Sequence, residues 1–477
     1  MIPLDRQSRV PLGDQIVDQF SHRIASGQLV NGLRLPSIRQ LASRLGVSAY
    51  TVVNAYDRLI ALGIIEVRAG SGFYVKRQRA QQTATEQALN SGGEVDVLWL
   101  AKRSLQSDPG QIPAGSAFVP SHWVEDVLSP AFVAKALRSR PASITAQPQG
   151  LPELREQLAI KLNSAGIHAD PANILVTYGA SHAIDLIVRT LTEPGDAVLV
   201  EDPVYYVLLD HLREAGVQII PVPRTPDGPD LEALEAACRK HQPKLFFIQP
   251  LLHNPTGWSA TPASLHRVLE MAERFDFLVA EDDIYADMHP GNPVRLAQLA
   301  GLNRVIHYSS FTKVVNPAWR VGYLAATPRL IELMTAEKIR SVLTGSMVEE
   351  TVLAELLRSG RYRKHLQTLR AKLAAARPRA TQLLTSVGLR VVDPADCGIF
   401  LWAEMPPGIN VDALVRDAFD AGILLAKGQL FFASDTPSAH LRFNVATCTD
   451  ARVIAFLQNR LHAGSNNVVS LTSRQVL

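Results

Sequence analysis

Six short apolar runs are the feature of this 477-residue chain that most constrains its fold. They are separated by amphipathic helical patterns and lie at 174–177, 197–201, 245–249, 277–280, 305–308 and 321–325. Short runs that are apolar on both faces are typical of strands buried in a parallel sheet. The pattern predicts a doubly wound α/β sheet, in which ligands bind beyond the carboxyl ends of the strands.

The stretch 308–320, Tyr-Ser-Ser-Phe-Thr-Lys-Val-Val-Asn-Pro-Ala-Trp-Arg, follows the fifth run. Lys313 has the hydroxyls of Ser310 and Thr312 shortly before it and the guanidinium of Arg320 seven residues after it. A lysine amine forms a Schiff base with an aldehyde cofactor, and hydroxyls together with an arginine hold a phosphate dianion. We therefore predict a pyridoxal 5'-phosphate site in which Lys313 is the Schiff-base lysine, rather than one more solvated surface lysine.

The segment 310–313 also matches Ser-x-x-Lys, the nucleophile motif of penicillin-binding proteins and serine β-lactamases. Those enzymes need a Ser-Asp-Asn and a Lys-Thr-Gly element as well, and this chain has neither. The nearest string, Ser-Asp-Thr at 434–436, lacks the amide. The sequence therefore argues against that hydrolytic chemistry.

Two further motifs follow the first and second runs. Gly179, Ala180 and Ser181 open an amphipathic helix, whose first backbone amides can hold an anion. Tyr205 follows the second run and offers a ring that can stack on a pyridine face. An ordinary core tyrosine is the alternative for Tyr205.

Polar motifs also follow the third and fourth runs. Asn254 can donate its amide to a phenolate oxygen, and the bond to the proline after it is a candidate cis peptide bond. Three consecutive acids then occupy 281–283, where adjacent carboxylates repel one another unless each finds a cation or water. We assign Asp282 to a protonated ring nitrogen and Tyr285 to the same ring. A metal site is the alternative for these acids, although no histidine pair lies at ligand spacing.

The charge of the chain is unevenly distributed. Residues 1–79 carry 11 Lys/Arg against 5 Asp/Glu, a net +6, so the remainder stands at −3 within the total of +3. A small basic module is the electrostatic footprint of nucleic-acid binding. Three scattered cysteines cannot form a disulfide framework, and no run of about 18 apolar residues predicts a membrane span. We expect a cytoplasmic protein.

The basic module has the pattern of a winged helix-turn-helix. Apolar residues recur at four-residue steps from Leu12, Ser37 opens a second helix in a capping box, and Ser48 caps a third helix. A hairpin over 64–75 forms the wing. The outward face of the third helix, predicted to enter a DNA major groove, carries Ala49, Tyr50, Thr51 and Asn54. A protein-protein module is the alternative.

The segments Leu-Pro-Ser-Ile-Arg at 35–39, Gly-Val-Ser at 46–48 and Gly-Ser-Gly at 70–72 resemble the winged-helix domain of GntR-type regulators. The resemblance covers about residues 10–77 and implies DNA contacts from Arg39, Ser48, Thr51 and the wing backbone at Gly70. Tyr50 is included because it shares the outward face. Where many relatives have an arginine after the capping serine, this chain has Ala49.

The motifs at Tyr205, Asn254, Asp282 with Tyr285, Lys313 and Arg320 resemble, in order and spacing, fold type I aminotransferases of the aspartate aminotransferase superfamily. This resemblance covers about residues 110–465, with a small α+β subdomain at about 330–465. It implies that Arg442 holds the carboxylate of a substrate or effector, although a structural arginine is the alternative. The polar segment 78–109 is interpreted as a linker, which follows a winged helix-turn-helix domain at 1–77.

This arrangement resembles MocR-type (GabR-like) transcriptional regulators. The resemblance implies a homodimer that binds operator DNA and senses pyridoxal phosphate, or its adduct with an amino compound or B6 vitamer. One departure bears on catalysis, because Thr145 stands near a position where the enzymes often carry a phosphate-anchoring tyrosine. An active aminotransferase with an accessory winged helix is the alternative, and a slow half-reaction is compatible with either interpretation.

Overall fold

The computed structural model describes residues 4–6, 10–25, 29, 32–68, 71–76, 95–105, 110–138, 147–392, 396–434 and 437–472. Two positions singled out in the sequence, Gly70 and Thr145, lie outside the described residues. The chain divides into two compact units, Met1–Glu94 and Val95–Leu477, called here the N-terminal and C-terminal units.

The N-terminal unit contains helices α1 (Leu12–Ala25), α2 (Ile38–Leu45) and α3 (Ala49–Ala61), then strands β1 (Ile65–Arg68) and β2 (Gly72–Val75). The two strands pair antiparallel to form the predicted hairpin. The apolar faces of the three helices and the hairpin share one core, which includes Ile16, Phe20, Leu41, Val52, Tyr56 and Leu59.

The helix caps of this unit form as the sequence predicted. The backbone amide of Ser37 donates to Gln40 Oε1 at 3.0 Å, and the amide of Gln40 donates back to Ser37 Oγ at 3.3 Å. Ser48 caps α3, since its Oγ accepts from the amide of Thr51 at 3.0 Å. These bonds satisfy helix amides that would otherwise lack partners, and so they fix where α2 and α3 begin.

A mixed eight-stranded sheet organises the C-terminal unit. Its strand order is β3-β10-β9-β8-β7-β4-β5-β6. The strands are β3 (Ile174–Thr177), β4 (Ala197–Asp202), β5 (Gln218–Thr225), β6 (Gly228–Pro229), β7 (Leu245–Ile248), β8 (Leu278–Asp282), β9 (Val305–Ser310) and β10 (Gly322–Ala325). Strands β4, β5, β7, β8 and β9 pair in parallel, which places their carboxyl ends at one edge.

Two features of the sheet differ from the expectation of an all-parallel series. Strand β10 pairs antiparallel with both β3 and β9, because only the short connection 311–321 separates it from β9 and leaves no room for a crossover helix. Strand β5 was not predicted. Its burial alternates, and Pro221 and Pro223 interrupt its apolar pattern, so it lacks the continuous apolar run of a central strand.

Helices cover both faces of this sheet. In chain order, the helices of the C-terminal unit up to residue 358 are α4 (Val97–Leu105), α5 (Pro130–Arg138), α6 (Pro152–Ser164), α7 (Gly179–Leu191), α8 (Tyr206–Glu214), α9 (Leu231–His241), α10 (Pro262–Phe275), α11 (Leu296–Ala300), α12 (Pro328–Val342) and α13 (Met347–Arg358). One buried cluster joins α7, α8 and α12 to one face of the sheet. The larger cluster joins α6, α9 and α10 to the other face, as a doubly wound fold requires.

A smaller antiparallel sheet follows in the chain. Its order is β11-β12-β14-β13, from β11 (Arg390–Val391), β12 (Phe400–Glu404), β13 (Ala426–Lys427) and β14 (His440–Asn444). Helices α14 (Arg361–Ser386), α15 (Val411–Asp420) and α16 (Ala451–Thr472) accompany it. This small sheet carries Arg442 on its buried strand β14.

Helix α4 lies inside the segment 78–109 that the sequence analysis treated as a linker. Its Leu100 is fully buried against side chains of the C-terminal unit, so at least 97–105 packs as part of that unit. The exact boundaries 1–77, 78–109 and 110–465 stay a prediction. Among the described residues, no helix combines the length and apolarity that crossing a membrane requires.

Candidate functional site

A cavity of about 360 Å³ lies at the carboxyl edge of the large sheet. Nine of the twelve residues predicted to bind cofactor or effector line it: Ala180, Ser181, Tyr205, Asn254, Asp282, Tyr285, Thr312, Lys313 and Arg320. The other three, Gly179, Ser310 and Arg442, are not among its lining residues. Since these motifs follow different strands, the fold has gathered them at the edge where ligands bind in such sheets.

Lys313 ends a short 3-10 turn, Phe311–Lys313, directly after β9. Its Nζ lies 3.8 Å from the centre of the Phe118 ring and 5.8 Å from that of Tyr285. Burial, reinforced by the positive charges of Arg442 and Arg320, lowers the pKa of Lys313 to about 7, although Asp282 opposes the shift. An amine with this pKa is substantially unprotonated at neutral pH, the form that attacks an aldehyde.

A set of hydrogen-bond donors surrounds the end of the cavity near Lys313. Ser310 Oγ contacts Thr312 Oγ1 and donates to the Val321 carbonyl at 3.1 Å. Arg320 Nη2 donates to the Tyr178 carbonyl at 3.4 Å. Hydroxyls, a guanidinium and the first amides of α7 are the donors that a phosphate dianion prefers.

Gly179 gives this end of the cavity its shape. Its φ is +75°, and a Cβ there would lie 2.9 Å from Arg320 Nη2. A Cβ on Gly322 would in turn lie 2.7 Å from the carbonyl carbon of Gly179. Both positions therefore require glycine so that α7, β10 and Arg320 can approach one another closely.

The three consecutive acids are separated because side chains alternate along β8 and into its end. Glu281 accepts from the amides of Leu296 and Ala297 at 2.6 and 3.1 Å. Asp283 pairs with Arg295 at 3.0 Å. Only Asp282 of the three lines the cavity. These partners offset part of the mutual repulsion of the acids, which still adds to the effect of burial in raising the pKa values of Asp282 and Asp283.

Asp282 is held by two donors. Its Oδ1 accepts from the Ile284 amide at 2.9 Å and its Oδ2 from the Tyr308 hydroxyl at 3.3 Å. Burial nevertheless raises the pKa of Asp282 to about 7, against the effect of these bonds. A cationic ring nitrogen beside Asp282 would compensate the cost of burying its charge, so this carboxylate fits a protonated pyridine. In the described residues, no cluster of three or more His, Cys, Asp or Glu side chains is arranged to hold a metal ion.

Aromatic and amide groups complete the cavity wall. The Tyr205 hydroxyl shares a hydrogen bond with Ser181, and burial raises the pKa of Tyr205. Tyr285 packs edge-on against Phe400, with ring centres 4.9 Å apart. The bond between Asn254 and the next proline is cis, as the sequence suggested. The arrangement offers two phenols and an amide to a planar polar ring, and the individual roles stay predictions.

Arg442 lies behind the cavity and is fully buried. Its Nη1 donates to Asn254 Oδ1 at 2.6 Å and its Nη2 to the Gly115 carbonyl at 2.7 Å. The rings of Phe400 and Phe431 lie 4.7 and 4.9 Å from its guanidinium carbon. Arg442 Nε is buried and has no hydrogen-bond partner among the described residues, which leaves one donor available for a carboxylate. Its role stays a prediction.

Several cavity residues were missed by the sequence analysis. Gln249, at the end of β7, accepts from the Asn254 amide at 2.8 Å through Oε1, while its Nε2 is buried without a partner in the described structure. Its place after a strand was a usable signal. Phe118 and three residues of α4 gave no local signal, because they reach the cavity from segments outside the strand-helix series.

In the N-terminal unit, Ser48, Tyr50 and Thr51 lie at the start of α3, whereas Arg39 lies in the first turn of α2. Arg39 and Ser48 are exposed and Tyr50 is 74% exposed, whereas Thr51 is half-buried with its hydroxyl 2.8 Å from Ser48 Oγ. The structure adds Arg34 and Arg44, which line a groove with Ser37, Gln40 and Phe73. Neither arginine stood out in the sequence, because their shared groove forms only when α2 packs beside the wing.

Comparison with known proteins agrees with both units. The family model "Aminotransferase class I and II" matches residues 110–459, and the model "Bacterial regulatory proteins, gntR family" matches residues 12–75. The chain is also similar to the solved structure of LysN, the α-aminoadipate aminotransferase of Thermus thermophilus. The matched region covers 78% of this chain and 97% of the LysN chain, with a TM-score of 0.68 and 26% sequence identity. The fold type I expectation is therefore confirmed.

Two curated relatives extend over nearly the whole chain. The uncharacterized HTH-type transcriptional regulator YdcR of Escherichia coli K12 is 31% identical over 442 residues, which covers 91% of this chain and 94% of YdcR. The probable rhizopine catabolism regulatory protein MocR of Rhizobium meliloti is 29% identical over 440 residues, 89% of this chain and 87% of MocR. The chain thus belongs to the MocR-type transcriptional regulators, in which a GntR-type DNA-binding domain is joined to a class I and II aminotransferase domain that binds pyridoxal 5'-phosphate.

Proposed function

We propose that this regulator changes its DNA binding when an amino compound reacts at the pyridoxal phosphate site. The observation that carries the proposal is Lys313, an amine with a pKa of about 7 beside Asp282 and Arg320 in the cavity. A site that only stabilised the fold would not need a reactive amine. The same chain carries a basic winged helix, so a reaction in the C-terminal unit and DNA binding by the N-terminal unit are combined in one molecule.

The residues in and beside the cavity divide into three roles. When bound, pyridoxal phosphate supplies an aldehyde that condenses with amines and a ring that withdraws electrons. Lys313 provides the resident amine, and Ser310, Thr312 and Arg320 with the start of α7 bind the phosphate. Asp282 keeps a proton on the ring nitrogen, while Tyr205, Asn254 and Tyr285 orient the ring.

The effector is an amino compound with a carboxylate, in this proposal. Its amine replaces that of Lys313, and its carboxylate accepts from Arg442, whose Nε has no other partner in the described structure. Arg442 belongs to the small sheet, whereas Asn254 follows a strand of the large sheet. A ligand that contacts both residues therefore stabilises one arrangement of the two sheets, and it shifts DNA binding only through that difference in affinity.

A homodimer and a cytoplasmic location are also part of the proposal. Four large apolar side chains are exposed around the connection of α12 to α13: Ile339, Val342, Leu343 and Val348. Several exposed apolar side chains within one short stretch of chain support burial against a second copy of the chain. Light scattering on the cofactor-loaded protein tests the dimer, and a monomer at micromolar concentration would contradict it.

The central experiment follows the cofactor and the DNA together. Full-length protein is loaded with pyridoxal phosphate, reduced with borohydride and mapped by mass spectrometry, and the label is expected on Lys313. Amino acids and B6 vitamers are then screened in parallel by absorbance shift and by DNA mobility, with Lys313→Ala as the control. Label on another lysine, or spectral shifts with no change in DNA mobility, would refute the proposal.

An aminotransferase with an accessory winged helix is the second candidate. It is favoured by the similarity to LysN and by the gathering of the predicted cofactor residues around one cavity. The two candidates differ in turnover. Many keto-acid molecules per site with no effect on DNA would identify the enzyme, whereas at most one product per site, together with altered DNA binding, is expected of the regulator.

A further inference from the structure

Helix α4 forms one wall of the cavity. Ala101, Ser104 and Leu105 line it, and their spacing of three and four residues places them on one face of the helix. The cofactor predictions included none of them. In the chain, α4 is the first described element after residue 76, so the covalent path from the DNA-binding unit enters the C-terminal unit at this wall.

The α4 wall presents one polar group that has no partner. The Ser104 hydroxyl oxygen is buried, and no described residue forms a hydrogen bond with it. Buried hydroxyls are normally hydrogen-bonded, so one that borders a cavity is suited to a ligand or to water held there. Leu105, by contrast, is 63% exposed and offers apolar surface that a ligand could cover.

The adjoining side of α4 packs near the predicted carboxylate site, since Leu100 lies one helical turn before Ser104. Leu100 is fully buried in a cluster with Tyr206, Trp402 and Phe431. The Phe431 ring lies 4.9 Å from the guanidinium carbon of Arg442. A change in the position of Arg442 would therefore reach α4 through Phe431, in addition to any direct contact with the ligand.

Side-chain packing holds α4 in place, with Val97, Leu100 and Ala101 in one apolar cluster and the Arg103 guanidinium carbon 5.0 Å from the centre of the Phe419 ring. The helix has nine residues, too few to be stable alone in water. Its start is fixed by Asp96, whose Oδ1 accepts from the Trp99 amide at 2.7 Å, and Trp99 packs on Phe419 with ring centres 4.9 Å apart. The stability of α4 thus depends on its packing, part of which is the cavity itself.

We infer that α4 contacts the effector and selects it. We infer also that α4 transmits effector binding to the segment that leads to the DNA-binding unit. Ser104 and Leu105 contact the part of the effector beyond its amine and carboxylate, and Leu100 follows movement of the Arg442 cluster. This inference rests on the proposed function, since it assigns selection and signalling within the same site.

The wall also indicates the class of effector. The charged residues that line the cavity, within the described structure, are Asp282, Lys313 and Arg320, and all three are assigned to the cofactor. Beyond them, the lining carries no charge: it is apolar, as at Phe118 and Val207, or has hydroxyls and the amides of Gln249 and Asn254. A charged side chain would lose its hydration there without an opposite charge, so the effector is a monocarboxylic amino compound with an uncharged side chain.

The test uses stable adducts in place of an unidentified effector. Cofactor-free, full-length protein is titrated with N-(5'-phosphopyridoxyl) derivatives of glycine, L-leucine and L-glutamate, and affinity for operator DNA is measured with each. The leucine adduct is expected to bind about tenfold more tightly than the glycine adduct, because α4 covers its side chain. The glutamate adduct should gain nothing over glycine.

Variants of α4 test the contribution of this helix separately from that of the rest of the site. Leu105→Ala and Ser104→Ala should reduce the ratio of leucine to glycine affinity and the DNA response to the leucine adduct. Lys102→Ala, an exposed position on the same helix, is the matched control. Hydrogen exchange of 97–105 in the wild-type protein should slow on binding of the leucine adduct.

The outcomes distinguish the role of α4 from the proposed function of the site. If adducts change DNA affinity while the α4 variants keep wild-type ratios and the exchange of 97–105 is unaltered, this inference is overturned and the proposed function stands. If no adduct changes DNA affinity in the wild-type protein, the proposed function is overturned and this inference with it.

Discussion

Arg442 and Asn254 are joined by a 2.6 Å hydrogen bond from Nη1 to Oδ1 that links the small sheet to the loop after strand β7 of the large sheet. The bond ties the residue predicted to hold the effector carboxylate to one predicted to contact the cofactor ring. A carboxylate that drew the guanidinium toward itself would alter the orientation of the Asn254 amide. Effector and cofactor are therefore expected to bind interdependently at this pair.

The first prediction concerns Arg442. Arg442→Lys keeps a positive charge but loses Nε, the donor left for a carboxylate, so the affinity for amino acids should fall at least about tenfold, the equivalent of about 1.4 kcal/mol. Absorbance titration of the cofactor-loaded protein measures the change. An amine without a carboxylate should bind as before, because it has no group for the arginine.

Arg416→Lys is the matched control, since Arg416 is exposed on α15. If Arg442→Lys weakened both kinds of amine equally, the arginine would be structural, with its bonds to Asn254 and Gly115 as its purpose.

The second prediction concerns pH and Lys313. Only the unprotonated amine condenses with an aldehyde, and the pKa of Lys313 is lowered to about 7 by burial and by Arg442 and Arg320. The initial rate at which cofactor-free protein takes up pyridoxal phosphate should therefore rise between pH 6 and pH 8, with its midpoint near 7. Stopped-flow absorbance measures this rate. A midpoint above pH 9 would show that Lys313 titrates as an ordinary lysine.

The lowered pKa of Lys313 also makes the stability of the cofactor-free protein depend on pH. Between pH 7 and 10.5 the unfolded chain holds a proton on Lys313 that the cofactor-free native state does not, so the contribution of Lys313 to stability increases as pH rises through that window. Lys313→Met should flatten this dependence in thermal melts recorded from pH 7 to pH 10. An unchanged slope would contradict the lowered pKa.

The contribution of Asp282 to stability is predicted to have the opposite pH dependence. Burial raises its pKa to about 7, so between pH 3.8 and 7 the native state holds a proton that the unfolded chain has lost, and stability falls as pH rises through that window. Asp282→Asn should therefore raise the melting temperature of the cofactor-free protein more at pH 8 than at pH 5. The same variant should slow any half-reaction with amino acids by about 100-fold or more, because the ring nitrogen loses its partner.

Whether a site residue could be predicted from the sequence depended on where that residue lies relative to a strand. Asp282 and Lys313 follow buried apolar runs, and parallel strands bring such positions to one edge, so local patterns sufficed to group them. Arg442 was identified only through the family resemblance, because its partners Asn254 and Gly115 are remote in sequence. Strand order, the antiparallel β10 and the cavity wall from α4 depend on tertiary packing, which no local pattern encodes.

The DNA-binding surface supports a further prediction. Arg39→Ala should weaken binding to all sequences and lower the slope of log affinity against log salt by about 0.9, the value for one phosphate contact. Arg58→Ala is the matched control, because Arg58 is already paired with Asp14. Fluorescence anisotropy with two unrelated duplexes measures both effects, and a loss confined to one sequence would instead indicate a base contact.

Thr51 and Tyr50 are predicted to differ in this assay. The Thr51 hydroxyl is engaged with Ser48 at the start of α3, so Thr51→Val should reduce helix stability as well as altering sequence preference. Tyr50 is exposed, so Tyr50→Ala should change DNA affinity with little effect on the melting temperature. Equal loss of stability in both variants would contradict this division of roles.

The last prediction isolates the cofactor phosphate site with a pair of glycines. Gly179 and Gly195 have φ values of +75° and +92°, so alanine at either position adds similar left-handed strain, about 1 kcal/mol. Around Gly195 nothing lies within 4 Å of the added Cβ, whereas at Gly179 it would lie 2.9 Å from Arg320 Nη2. Gly179→Ala should therefore weaken pyridoxal phosphate binding at least about tenfold by displacing Arg320, while Gly195→Ala lowers only the melting temperature. Equal cofactor affinity in the two variants, measured by absorbance titration, would show that Arg320 does not bind the cofactor phosphate.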